Sequence, residues 1–282
     1  MTAAPPAMVV AAPAKVNLFL HVTGRRADGY HTLESLFALI DWADTVTLTL
    51  RNDGAIVRAN PLPGVADRDD LAVRAALLLR GASGTKAGVT IDIAKQIPLG
   101  AGLGGGSSDA ASVLLALNCL WQLNLPRREL AALGVTLGAD VPFFLGGDAA
   151  VGRGIGEILA PVSLPPLWLA LAIPPVAVRT AEIFVAPELT RATPSAKIDV
   201  FSEGYGRNDL EPVTSARFPA VARSIAALKA TSANARMTGS GGCAFAAFAT
   251  EDAARAGLAG LPRGVAGKIV RTLARHPLAA LE

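Results

Sequence analysis

Glycines at 100, 102, 104, 105 and 106, followed at once by Ser107 and Ser108, make the densest chemical signal in the chain, within the run PLGAGLGGGSSDAAS from 98 to 112. A loop stripped of side chains lets its backbone N–H groups converge on an anion, and a helix N-terminus directly behind it adds a favourable dipole. The two serine hydroxyls offer bonds to phosphate oxygens or a metal ion. The composition suits a nucleoside triphosphate. It is not a Walker loop, because no Gly-Lys-Ser/Thr ends it, and the GxGxxG spacing inside it is weak evidence alone. A flexible turn leading into a buried helix would use the same glycines.

Three further segments carry polar groups in apolar surroundings. In PAKVNLFL, Lys15 and Asn17 stand two residues apart, so on a strand they share a face while Val16 and Leu18 take the other. Such a pair is either a strand edge facing water or the floor of a site. Asp140, between Gly138 and Pro142 in GADVPFFL, is a carboxylate that would be costly to bury alone. A turn or N-cap role explains it, and so does a nearby cation such as Lys15. The run MTGSGGCAFAAF at 237–248 joins a second glycine loop to a β-run, which a tight strand connection would also explain.

The elements that must position these residues follow from periodicity. Residues 8–22 end in a partly alternating stretch, with Val16, Leu18 and Leu20 on one side and Asn17 and Phe19 on the other. Further β-branched alternation lies at 45–50 and 89–93. A helix is expected from Asp70-Leu71 to Ser83 with Asp69 or Asp70 as N-cap, and a second opens at Ser107 or Ser108. The second is apolar almost all round, so it belongs inside. A third helix spans 127–138. The chain changes character around 146–166, and a domain boundary is expected near 154, giving units 1–153 and 154–282. The second unit reads as a strand at 167–173, a helix near 216–230, strands near 234–238 and 243–248, a helix at 251–259 and a strand at 267–272. Strands leading through a glycine turn into a buried helix describe α+β layering.

The 282 residues are 51% hydrophobic and 17% charged, which excludes a disordered or collagen-like chain. The net charge of +3 is spread along the sequence, and only 5% of residues are aromatic, so a nucleic-acid track is disfavoured. Cys119 and Cys243 sit in apolar runs without metal-ligand spacing and read as two buried free thiols in a reducing compartment. The first 22 residues lack a basic n-region and are interrupted by Pro5, Pro6 and Pro13, which argues against secretion. The apolar run 164–178 is short and broken by prolines, so it reads as a buried strand rather than a membrane span. A cytoplasmic location without membrane contact is expected.

Taken together and in this order, the four segments resemble the GHMP kinase family of small-molecule kinases over nearly the whole chain. Its first motif resembles Pro13 to Leu18, its phosphate loop Pro98 to Ser108, and its third motif Thr238 to Phe245. The resemblance implies a two-domain α+β architecture, with an N-terminal domain like domain 2 of ribosomal protein S5, a ferredoxin-like α/β-plait C-terminal domain, and a cleft between them. It implies ATP and Mg²⁺, with the nucleotide on Pro98, Leu99, Gly100, Ala101, Gly102, Leu103, Gly104, Gly105, Gly106, Ser107 and Ser108. Asp140 would be the general base and Lys15 its electrostatic partner, with Asn17 bonding substrate or phosphate beside them. Phosphoryl transfer asks for this kind of positioning and charge stabilisation more than for covalent chemistry.

DGYHTLESLF at 28–37 and GADVPFF narrow the implied acceptor to CDP-methylerythritol, phosphorylated on its 2-hydroxyl in the non-mevalonate isoprenoid route. Tyr30 and Phe184 would sandwich the cytosine, His31 would read its edge, and Thr180 would lie near the transferred phosphate or acceptor hydroxyl. Asp209 is assigned a structural role. Asp109 caps the helix or approaches the metal, for which Ser108 is the candidate ligand. Homoserine, mevalonate or a sugar are the alternative acceptors, and a non-catalytic ligand sensor of the same fold is the alternative class. A monomer or homodimer is expected.

Overall fold

The computed structural model describes residues 5–195 and 206–281. It opens on a long antiparallel hairpin of β1 (Ala7–Arg25) and β2 (His31–Arg51). There follow β3 (Ile56–Arg58), a 3-10 turn at Asp67–Asp69, α1 (Leu71–Ser83), β4 (Gly88–Ala94), α2 (Gly105–Leu120), α3 (Arg127–Gly134), α4 (Val141–Gly146), β5 (Ala150–Arg153) and β6 (Ile158–Pro161). The second half comprises β7 (Trp168–Ile173), α5 (Thr180–Phe184), α6 (Glu211–Arg217), α7 (Pro219–Lys229), β8 (Arg236–Met237), β9 (Ala244–Phe248), α8 (Glu251–Gly257) and β10 (Ala266–Arg271).

Two sheets form. In the first, β2 pairs with β1 along one edge and with β4 and β5 on the other, extended by β3 and β6. The second has the order β10-β7-β9-β8, all antiparallel, which is the arrangement a ferredoxin-like α/β plait requires. The alternation of side chains across a strand decides the layers. In β2, Phe37 and Leu39 face the core shared with α1 and α2, while Leu36, Ala38 and Ile40 face the second sheet. In β7, Leu169 and Leu171 return that contact, while Ala170 and Ala172 face the helix layer of α7 and α8. The two units therefore share an apolar core in addition to any cleft. With both faces covered, LFALI at 36–40 carries no polar alternation to read.

Several expectations are corrected. A β-bulge between Asn17 and Phe19 adds a residue to the register, so Phe19 packs in one apolar cluster with Val16 and Leu18 rather than following Asn17. The division at 154 falls within the β5–β6 connection, and the change of sheet comes between Pro161 and Trp168. The helix expected at 216–230 is two helices, broken at Phe218 with Pro219 starting the second. The third helix stops at Gly134 rather than 138. Cys119 is exposed near the end of α2, whereas burial pushes the Cys243 thiol up to about 12. Asp70 caps α1 as expected, its carboxylate accepting from the Ala72 and Val73 amides. No described helix is long and apolar enough to cross a membrane.

Candidate active site

The outer edge of β1 is covered by loops instead of a strand, and this gathers the motifs. Lys15 N–H donates to the Leu103 carbonyl at 3.0 Å, drawing in the glycine loop. Asn17 N–H donates to Thr238 Oγ1 at 2.8 Å, drawing in the segment before β9. Leu20 N–H donates to the Arg207 carbonyl, and Asp209 N–H donates back to Leu20. The buried Asp209 carboxylate then accepts from Val22 N–H and from Thr193 Oγ1, so it serves as an edge clamp. Unpaired strand groups would otherwise be buried without partners, which is why polar loops dock there.

Above this edge lies a cleft of about 530 Å³. On its wall Lys15 Nζ stands 3.3 Å from the Asp140 carboxylate and donates to Asn17 Oδ1 at 2.5 Å. The Lys15 ammonium also lies 5.5 Å from the centre of the Phe37 ring. Asn17 Nδ2 donates to Ser35 Oγ at 2.7 Å, and Ser35 donates on to the Phe19 carbonyl, which holds Asn17 in one orientation. Asp140 precedes α4 but makes no capping bond to it; its carboxylate is 32% exposed and looks into the cleft. The turn role is thus set aside in favour of the cation.

The glycine loop also lines the cleft, from Pro98 to Ser107, and lies against Lys15. Gly104 sits at φ +70, and a Cβ there would lie 2.9 Å from Phe144 and 3.1 Å from the Lys15 side chain. Glycine at this point lets the loop close on Lys15. Gly102, at φ +77, would bring a Cβ within 2.4 Å of the Thr238 carbonyl, so the two glycine loops meet backbone to backbone. The α2 N-terminus has no side-chain cap, leaving the first-turn amides directed at the cleft.

Lys95, which no sequence motif singles out, also lines the cleft, and its ammonium pairs with both Asp44 and Asp109, the latter at 2.7 Å. Asp44 further accepts from the Gln96 and Ile97 amides, fixing the approach to the loop. Asp109 neither caps α2 nor faces the cleft: it is buried against Lys95, and burial pushes its carboxyl up to about 7. The one signal for Lys95 is its place just before the glycine run; its partners are distant in sequence.

At the far end, Thr180 Oγ1 and Ser240 Oγ share a hydrogen bond of 2.6 Å, and both residues line the cleft with Phe184. His31 stacks on Phe184, ring centres 5.3 Å apart and planes 28° apart. Tyr30, which precedes His31 in the chain, is 62% exposed beside this stacked pair. Arg191, also without a sequence signal, donates from Nε to His31 Nε2 at 3.0 Å. Burial, Arg191 and Arg25 lower the His31 pKa.

The donor set for a divalent cation does not materialise. Ser108 Oγ is sealed inside the protein without a partner and is not on the cleft wall, while Ser107 is. Asp140 is engaged by Lys15 and Asp109 by Lys95, and no cluster of three or more metal-ligating residues exists among the described residues. The residues present do not fit a protein-built Mg²⁺ cage, and Ser108 as its ligand is withdrawn.

A carboxylate and an ammonium sharing one cleft with a glycine loop and an uncapped helix start is an arrangement for moving a proton and an anionic group together. Comparison with known proteins gives the same direction. The family model described as "GHMP kinases N terminal domain" matches residues 70–148, and "GHMP kinases C terminal" matches 195–266. A 4-diphosphocytidyl-2-C-methyl-D-erythritol kinase of Thiobacillus denitrificans is 58% identical over 95% of this chain and 96% of its own. One from Cupriavidus necator is 54% identical over 96% and 94%. A crystal structure of 4-(cytidine 5'-diphospho)-2C-methyl-D-erythritol kinase superposes with a TM-score of 0.80 at 38% identity, covering 94% of this chain and 99% of that one. A homoserine kinase from Cytophaga hutchinsonii, at 18% identity and a TM-score of 0.72 over 98% and 97%, shares the fold.

Proposed function

The chain belongs to the GHMP kinase family, and from that premise we propose that it transfers the γ-phosphoryl group of ATP to the 2-hydroxyl of 4-diphosphocytidyl-2-C-methyl-D-erythritol. The names of the relatives support the acceptor. The observation that carries the chemistry is the Lys15–Asp140 pair on the same cleft as the uncapped start of α2. Asp140 accepts the proton of the acceptor hydroxyl as its oxygen bonds to phosphorus, and ADP leaves with the electron pair of the broken P–O bond. Lys15, nearly buried, holds the carboxylate in place and offsets the negative charge that gathers between the reacting oxygens.

The triphosphate takes the amide nest from Gly104 to Ser107, with Lys95 beside it. A neutral backbone cradle suits a polyanion that must also leave as ADP, since it binds through many weak donors instead of several fixed cations. The cytidine end takes the region of Tyr30, His31 and Phe184, and Thr180 with Ser240 lies between the two ends. Mg²⁺ accompanying ATP would be carried on the phosphates and water.

An ADP-release assay over a panel of acceptors tests the reading. Turnover with CDP-methylerythritol and none with homoserine, mevalonate or simple sugars is the expected result. Turnover with one of the others and none with the CDP alcohol would reject the acceptor.

A further inference from the structure

We infer that Arg191 is a positioning residue for pyrimidine recognition: it holds His31 as the neutral imidazole protonated on Nδ1, so that the ring offers a single N–H donor to the base. The inference rests on the cytidine-bearing acceptor proposed above.

The argument starts from one hydrogen bond. Arg191 Nε meets His31 Nε2 at 3.0 Å. A guanidinium has only donors and keeps its proton at any relevant pH, so the nitrogen it meets must present a lone pair. The remaining ring proton then resides on Nδ1. A histidine side chain free in water prefers the opposite tautomer, with the proton on Nε2, so the fold selects the minority form.

The arginine is itself held. Nη1 donates to the Pro187 and Leu189 carbonyls at 3.3 and 3.0 Å, and Nη2 to the Phe184 and Ala186 carbonyls at 3.3 and 2.5 Å. Turning the guanidinium away would strip four carbonyls of a charged donor, so the chain after α5 sets the direction of Nε. The ring is held from its face as well, by Phe184. His31 opens β2 in the first unit, whereas Arg191 and Phe184 come from the second, so the tautomer is set across the two units.

What remains is Nδ1–H, since the Arg191 contact is the one side-chain hydrogen bond of His31 among the described residues. A lone donor there complements the acceptor atoms N3 and O2 of cytosine. A doubly protonated ring would face Arg191 with N–H against N–H, and the two charged groups that act on the ring, Arg191 and Arg25, are both cations. Among the described residues no carboxylate compensates them at the ring.

The test uses two-bond ¹H–¹⁵N correlations of the full-length protein labelled at histidine. There are three histidines, and a His31→Gln sample identifies the signal of interest. Near neutral pH the wild type should show a protonated Nδ1 and an unprotonated Nε2 for His31. In Arg191→Met the balance should move toward Nε2–H and the titration should rise. The KM for CDP-methylerythritol should increase about tenfold in that variant, with kcat and the ATP KM changed by less than about twofold, because only the base contact is mispositioned. Arg191→Lys, which keeps charge but not the planar fork, should fail to restore the tautomer. A wild-type His31 protonated on Nε2 overturns the inference even if the methionine variant does not fold. So does an Arg191→Met enzyme with unchanged tautomer or unchanged KM. Wild-type protein that turns over no CDP-methylerythritol instead overturns the acceptor, and the pyrimidine role of Arg191 with it.

Discussion

The Lys15 ammonium lies 3.3 Å from the Asp140 carboxylate, although one belongs to the first strand and the other to the turn before α4. The two are brought together because α4 packs Val141, Phe143, Phe144 and Leu145 into the same core as β2 and α2, leaving Asp140 as the residue at the rim. Gly104 completes the contact by giving Lys15 room on its other side.

Asp140→Asn removes the proton acceptor while keeping the shape. Turnover should fall by at least about 10²-fold, the usual scale for loss of a general base. ATP binding measured by calorimetry should persist, because the base faces the acceptor. An Asp140→Asn enzyme with near wild-type turnover would reject the assignment.

Gly104→Ala places a Cβ where Phe144 and Lys15 already stand, on a residue with φ +70. Strain of about 1 kcal/mol or more is expected, and the loop should shift away from Lys15. Urea denaturation should show the loss of stability, and the ATP KM should rise. A variant with wild-type midpoint and KM would mean the loop has slack that the contacts do not suggest.

Arg127 ties the end of the chain to the active-site helix. Its guanidinium donates to the Leu145 carbonyl in α4 and to the Leu278, Ala279 and Leu281 carbonyls. Arg127→Ala should cost about 2 kcal/mol through these charged hydrogen bonds. Because α4 follows Asp140, kcat should fall with stability, and a chemical-denaturation midpoint measured beside turnover would show whether they move together.

Two buried groups make stability depend on pH in opposite senses. Burial, with Arg127 nearby, lowers the His276 pKa from 6.5 to about 4, so the unfolded chain takes up a proton that the fold resists. Its contribution is complete above 6.5 and is lost as pH falls toward 4. Asp109 is raised from 3.8 to about 7, so the fold keeps a proton that the unfolded chain has released, and stability is lost as pH rises through that window. Unfolding free energies of His276→Gln and Asp109→Asn from acid to neutral pH should have slopes displaced from the wild type in opposite directions. Parallel slopes would refute both assignments.

The motif residues Lys15, Asn17, Asp140 and Ser107 are legible in the sequence because each is a polar group at fixed spacing inside an apolar or glycine-rich run. The capped start of α1 and the buried character of α2 are legible for the same reason, being local patterns. Phe19 is misplaced by alternation because a bulge leaves no trace in a sequence of apolar residues. The break at Phe218 does have a visible cause, the proline that follows it at 219.

Lys95 and Arg191 escape a sequence reading because a lone charge on a loop looks solvated until its partners are known, and Ser240, though inside the 237–248 run, is not set apart from its neighbours there. Asp44 and Asp109 make Lys95 a fixed cation, Thr180 places Ser240, and four carbonyls and His31 make Arg191 an oriented donor. Most of those partners lie far away along the chain, and packing alone brings them near. The order and composition of the motifs are enough for the family, since each motif depends on residue type and short spacing within its own run. Which hydroxyl faces the cleft, which ring stacks on Phe184 and which nitrogen of His31 meets Arg191 depend on side chains brought together by packing, and that is decided by geometry in three dimensions.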